Sequence, residues 1–217
     1  MFWNLYLAHL LGDFVFQTDW MVSKRDNLWV LTLHASIHFA LMFLLVGQMR
    51  SLMWLILLFL ALIHVIQDKL KNYVVKRRPD WSVPAFLIDQ ALHFVTIWTV
   101  MWWYQIQVGQ FYTSEKPVWV IVAVTYLFVT YVWFISERVF NQSKTEYLKS
   151  INETKLPRML TRAGLVSLFL LVRTWSLAGL AIVVPNPYPQ SKFRGRALLT
   201  DISVSLLGMA FLFWELR

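Results

Sequence analysis

Long apolar stretches recur along this chain, at residues 2–17, 29–47, 52–75, 84–104, 117–139, 158–184 and 197–216. A run of about 20 such residues crosses the hydrocarbon core of a bilayer, and there the backbone must satisfy its own hydrogen bonds. That requirement leaves helices as the economical solution. The composition agrees: 58% of residues are hydrophobic and the mean hydropathy is +0.54, both high for a soluble globular domain. The expected fold is therefore all-α, a polytopic helical membrane protein with about seven transmembrane helices. Punctuation supports the boundaries. Pro79 closes the third run, Pro84 falls in the first turn of the fourth, and Pro185, Pro187 and Pro189 follow the sixth. Trp102, Trp103 and Tyr104 form an aromatic anchor of the kind found at a membrane interface. The first run lacks a basic n-region and a small-residue cleavage site, so a retained helix is expected rather than a signal peptide.

Polar residues inside these runs are few and regularly placed. All five histidines lie between residues 9 and 93. They form four pairs at one spacing: His9 with Asp13, His34 with His38, His64 with Asp68, and Asp89 with His93. A spacing of four puts both side chains on one helix face, about 5–6 Å apart at Cβ. Each pair occupies a different one of the first four runs. Alternating the helices across the membrane brings all four pairs to a similar depth, roughly 7–16 Å from one surface. Gln17, Gln67, Gln90 and Lys69 lie next to these pairs or one turn away and are candidates for the shell that orients them.

Charge distribution sets the expected orientation. Fourteen of the twenty basic residues fall on one side under strict alternation, among them Lys24, Arg25, Lys76, Arg77 and Arg78. That side is expected to be cytoplasmic, with the amino terminus outside. Lys192, Arg194 and Arg196 oppose the bias, and a re-entrant sixth helix would reverse the seventh. Arg173, deep in the sixth run, needs a partner, and Asp201 is the expected one. The net charge of +8 follows the loops, as in a membrane protein, so no nucleic-acid partner is expected.

The absence of cysteine excludes disulfides, thiolate zinc sites and cysteine-held iron–sulfur clusters. Imidazole with carboxylate suits zinc first, with iron or manganese as alternatives. His9, Asp13, His34, His38, His64, Asp68, Asp89 and His93 offer enough ligands for one ion or for two sharing a carboxylate. With an open coordination position such an ion activates water, which points to a metal-dependent hydrolase at the cytoplasmic leaflet. One of Asp13, Asp68 or Asp89 would then serve as general base instead of ligand. The same groups would also suit an ion, proton or small-solute transit site, a haem-binding or non-catalytic subunit of a membrane complex, or a structural polar network. His-Glu-x-x-His, Walker and Gly-x-Ser-x-Gly motifs are all missing.

The motifs His9-Leu-Leu-Gly-Asp13, Leu33-His34-Ala-Ser-Ile-His38, His64-Val-Ile-Gln-Asp68-Lys69 and Asp89-Gln90-Ala-Leu-His93 occur in order. This arrangement resembles a bacterial family of polytopic membrane proteins catalogued as domain of unknown function 3307, over residues 1–105. The resemblance implies a location in the bacterial inner (cytoplasmic) membrane, and it implies no activity. Residues 1–105 are accordingly expected to be a four-helix membrane domain and residues 106–217 a three-helix scaffold. The second half carries no recognisable motif and is a candidate surface for a membrane-complex partner. The expected partners of the first half are the bilayer itself and a lipid or amphipathic substrate.

Overall fold

A computed structural model describes residues 1–46, 51–108, 117–172 and 192–217. Among these residues the chain is helical throughout, with no strand. The elements in order are α1 (Phe2–Leu11), a π-helical turn (Gly12–Phe16), α2 (Asp19–Ser23), α3 (Leu28–Val46), α4 (Ser51–Arg77), α5 (Ser82–Val108), α6 (Val118–Leu127), a second π-helical turn (Phe128–Val132), α7 (Trp133–Phe140), α8 (Thr145–Glu153), α9 (Lys155–Val172) and α10 (Arg194–Glu215). The chain forms two compact units, Met1–Val120 and Ile121–Arg217.

Among the described residues five helical stretches are long and apolar enough to cross a membrane: Leu28–Val46, Met53–Arg77, Pro79–Gln107, Val118–Phe140 and Arg194–Glu215. Seven were expected. The first run falls short because α1 and its π-turn reach only about 23 Å before Gln17 turns extended. The sixth is α9, whose apolar stretch is preceded by Lys155, Arg158 and Arg162. Its expected continuation past Val172, with Arg173, lies outside the described residues.

In the first unit, α1 packs on α3, α3 on α4, α4 on α5 and α5 back on α1, closing a four-helix bundle. The pattern on α4 is inverted relative to a soluble helix. Leu55, Leu58, Phe59, Leu62 and Ile66 are exposed, whereas His64, Asp68 and Asn72 are buried. An apolar outside around a polar inside is the arrangement a hydrocarbon solvent selects. Leu5, Ala8, Leu57 and Ile97 fill one half of the bundle. The amide of Asn4 donates to the Leu45 carbonyl at 2.7 Å and ties the start of α1 to the end of α3. Thr18 caps the short α2 by accepting from the Met21 amide at 3.3 Å.

In the second unit, α9 packs along α10. Arg158, one turn into α9, meets Asp201, two turns into α10, so the two helices begin at the same end. Lys192 pairs with Glu146, and Arg196 donates to Asn141 at 2.8 Å. Lys192 and Arg196 therefore sit beside the α7–α8 connection, not across the bundle from it. Strict alternation fails here, and α10 runs in the reversed direction. Among the described residues Asp201 finds Arg158 as its partner, and the expected pair with Arg173 lies outside them.

A buried polar group holds this unit together. Arg158 reaches both Asp201 carboxylate oxygens from Nε at 3.0 Å, adds a 2.7 Å bond from Nη2, and meets Glu137 at 2.8 Å. Tyr147 of α8 donates to Glu137 at 2.6 Å. Burial, then the bond to Glu137, pushes the Tyr147 phenol up to about 12, so it stays the donor.

Candidate metal centre

The four pairs line the interior of the first bundle, and local structure explains how they reach one another. Asp13 sits in the π-turn, a wider helical turn often found at functional sites. Gly12 precedes it. A Cβ on Gly12 would lie 2.3 Å from His38 Nε2, so only glycine lets the His38 ring descend onto α1. That ring has no room to retreat, because it packs on His34 and His64 at centroid distances of 4.6 and 3.9 Å. Gly12→Ala is expected to cost about 1–3 kcal/mol as overpacking, although alanine is the better helix former. Thermal unfolding of the detergent-purified variant checks this, and unchanged stability would show that the ring can move.

Asp13 is the hub. Its Oδ1 lies 3.2 Å from His34 Nε2, 3.0 Å from His38 Nε2 and 3.5 Å from His64 Nε2. Its Oδ2 lies 3.7 Å from His9 Nε2. His34 Nε2 and His64 Nε2 are 3.2 Å apart, and Asp68 Oδ2 is 3.5 and 3.4 Å from them. Within the quartet Asp13, His34, His64 and Asp68, five of the six separations thus fall between 3.2 and 3.5 Å. Ligands about 2.0–2.2 Å from a tetrahedral ion stand about 3.3–3.6 Å from one another. Two imidazole nitrogens at 3.2 Å either share one proton or turn both lone pairs to a cation.

Two further groupings overlap this quartet. His9, Asp13, His38 and His64 offer ligand atoms within 4.8 Å of one another, as do Asp13, Asp89 and His93. Asp13 is common to both, which is the placement of a carboxylate able to bridge two ions. All eight residues are therefore brought together. The five histidines, Asp68 and Asp89 are each no more than 5% exposed, so their polar atoms depend on one another for partners. His9 Nε2 has no hydrogen-bond partner among the described residues, and His93 Nε2 and Asp89 Oδ1, 3.3 Å apart, meet without hydrogen-bond geometry. Such orphans cost about 1–3 kcal/mol each unless an ion or water fills the gap.

The surrounding shell is partly as expected. Gln90 donates to Asp13 Oδ2 and Asp89 Oδ2, each at 3.3 Å. Gln17 contacts His34 Nε2 at 3.3 Å. Gln67 donates to Thr96 at 2.9 Å rather than to a ligand residue. Lys69 is exposed and turned away, because one residue past Asp68 is about 100° round the helix. Lys71 takes that place, with Asp68 Oδ1 and Asp89 Oδ2 both at 2.8 Å. The signal for it was present: His64, Asp68 and Lys71 repeat at four and three residues along one face. His34 Nδ1 has no partner among the described residues, whereas the second nitrogen of a metal-bound histidine is usually anchored.

A family model described as protein of unknown function (DUF3307) matches residues 1–122. The chain belongs to that family. The DUF3307 match takes in all four pairs and essentially the whole first compact unit, so it extends beyond residues 1–105, where the motifs lie. No curated protein and no solved structure matches the chain. The second unit of this DUF3307 protein falls almost wholly outside the match.

Proposed function

We propose that this DUF3307 protein is an integral-membrane metal-binding protein and that its bundle works as a metal-dependent hydrolase at the cytoplasmic face of a bacterial inner membrane. Five separations of 3.2–3.5 Å among Asp13, His34, His64 and Asp68, each close to the edge between two ligands of one ion, carry the reading. The donor set, imidazole and carboxylate without thiolate, favours zinc, with iron or manganese as the other choices. A bound ion of this kind supplies Lewis acidity and makes hydroxide available near neutral pH.

The chain's own groups divide the remaining work. Asp13 and His64 belong to two ligand groupings each and are the core ligands. Lys71 holds Asp68 and Asp89 in place, and Gln90 orients Asp13 and Asp89. An aspartate left out of the coordination would take the proton from water. Space for water exists on two sides. A void of about 50 Å³ is lined by Gln17, Arg25, His34, Asp68, Lys71 and Asn72. Another of about 20 Å³ touches His9, His38, His64 and His93. One water needs about 10–15 Å³ by this measure. Neither void admits a porphyrin, which favours a bare ion over haem.

Elemental analysis of the detergent-purified full chain tests the proposal. Wild-type protein is expected to retain at least one equivalent of a divalent transition metal through dialysis. His64→Ala should retain less than a tenth of that, and His34→Ala an intermediate amount. Wild-type protein without metal after expression in supplemented medium would overturn the proposal.

A further inference from the structure

The larger void has cationic walls. Two of its lining residues, His34 and Asp68, belong to the quartet with Asp13 and His64, so the void borders the metal centre itself. Its other polar walls come from two elements. Arg25 stands on the connector between α2 and α3, and Lys71 and Asn72 stand on α4. Arg25 is half-buried and forms no ion pair among the described residues. The Lys71 ammonium gives two of its three N–H donors to Asp68 and Asp89, each at 2.8 Å, and keeps the third. Asn72 is buried, yet its side-chain oxygen has no hydrogen-bond partner among the described residues. Lys76 pairs with Asp26 at 3.2 Å and draws the end of α4 beside the connector that carries Arg25. Trp20 and Trp29, on either side of that connector, are exposed, as aromatic side chains are at the headgroup level of a bilayer. Lys71 precedes Arg77, the last residue of α4, by six residues, about 9 Å along the helix.

Resting on the hydrolase reading, we propose that the substrate is a phosphate monoester whose phosphoryl group sits in this void, held by Arg25 and Lys71. The charge of the walls selects it. A phosphoryl group spreads negative charge over three oxygens, and that charge has to be met while phosphorus is attacked. An arginine fork and an ammonium hydrogen meet it from two separate elements. A carboxylate would need only one of them. Asp68 does not repel such a guest unshielded. Its Oδ2 faces His34 and His64 at 3.5 and 3.4 Å, and its Oδ1 meets Lys71 at 2.8 Å. The size agrees as well. A void of about 50 Å³ takes about three to five waters, comparable with one phosphoryl group, and the alcohol part stays outside. The unpartnered Asn72 oxygen accepts a hydrogen bond from the attacking water. In the reaction the water oxygen bonds to phosphorus, and the bond from phosphorus to the alcohol oxygen breaks. One water proton goes to that alcohol oxygen, and the other stays on the inorganic phosphate.

Inorganic phosphate is the first probe, titrated calorimetrically into the metal-loaded full chain in an uncharged detergent. Wild-type protein is expected to bind one equivalent that equimolar acetate does not displace. Arg25→Gln should weaken binding at least tenfold with metal content unchanged. Asn72→Asp, which puts a carboxylate into the void, should do the same and covers the case in which the first variant misfolds. Lys24→Gln, exposed on the same connector, should leave binding as in wild type. Equal binding by wild type, Arg25→Gln and Asn72→Asp would overturn the inference. So would displacement by acetate, or a loss in Lys24→Gln as large as in Arg25→Gln, the mark of diffuse surface charge. Turnover then separates the inference from the reading beneath it. Phosphate released from dioctanoyl phosphatidic acid but not from glycerol phosphate supports it with a lipid source, and the reverse supports it with a soluble one. Cleavage of p-nitrophenyl acetate with p-nitrophenyl phosphate left intact would overturn it and keep the hydrolase. Phosphate bound through Arg25 with no ester cleaved at all would sink the hydrolase reading alone and leave the phosphoryl site supported.

Discussion

Asp13→Asn is expected to abolish the stabilisation that metal confers, without lowering the stability of the metal-free protein. At a thousandfold excess over its dissociation constant, a ligand confined to the folded state stabilises by about 4 kcal/mol. Chelation of the wild type should remove that amount. In the variant, three imidazoles lose the carboxylate oxygen they share at 3.0–3.5 Å, and melting should become insensitive to chelator. The metal-free states should lie close together. Without a cation Asp13 is one of three buried carboxylates in the bundle, and the repulsion relieved by neutralising it offsets the weaker bonds an amide oxygen would accept from the imidazoles at 3.0–3.5 Å. A purely structural network predicts something else: Asp13→Asn would destabilise equally with and without chelator. Thermal unfolding of both proteins, each with and without chelator, separates the two outcomes.

The second large effect is expected within the second unit. Arg158 is 2% exposed and serves two buried carboxylates at once. Arg158→Met removes the cation and leaves Glu137 and Asp201 facing each other without it. Breaking a buried ion pair from one side costs about 3–5 kcal/mol, and here two carboxylates are stranded. Arg162 lies 3.8 Å from Asp201 and can compensate only in part. Arg162→Met should therefore cost less. Replacing all three groups together, as Arg158→Met with Glu137→Gln and Asp201→Asn, should recover much of the loss, because no bare charge remains. Unfolding of the single and triple variants in detergent measures this. An Arg158→Met protein that melts with wild type would show that water reaches these carboxylates.

The first bundle was more legible than the second unit for a physical reason. A helix of 3.6 residues per turn fixes where residues four apart point, so His64 with Asp68, or Asp89 with His93, is already a local arrangement before any packing. The cost of a polar group in hydrocarbon then turns those faces inward. No such local rule links Arg158 to Asp201, 43 residues away. Either arginine, Arg158 or Arg173, could have met that aspartate, and the choice depends on which way α10 runs. Strict alternation put Lys192, Arg194 and Arg196 on the far side, against the loop-charge bias, because a count of alternating helices cannot sense a pair such as Arg196 with Asn141. Lys69 and Lys71 divide in the same way. Both adjoin Asp68 in sequence, and only the helical angle together with the position of Asp89 on α5 selects Lys71.

By itself the sequence determined that this chain is helical, that its helices turn apolar faces outward, and that four of them carry paired imidazole and carboxylate groups. Those properties follow from solvent exclusion and helix periodicity, which act within single segments. The tertiary structure alone decided that Asp13 is the shared centre, that Gly12 and a π-turn let His38 reach it, that Lys71 clamps two aspartates, and that α9 and α10 start together. Each of these depends on distances between segments far apart in the chain, which only close packing of the helices sets.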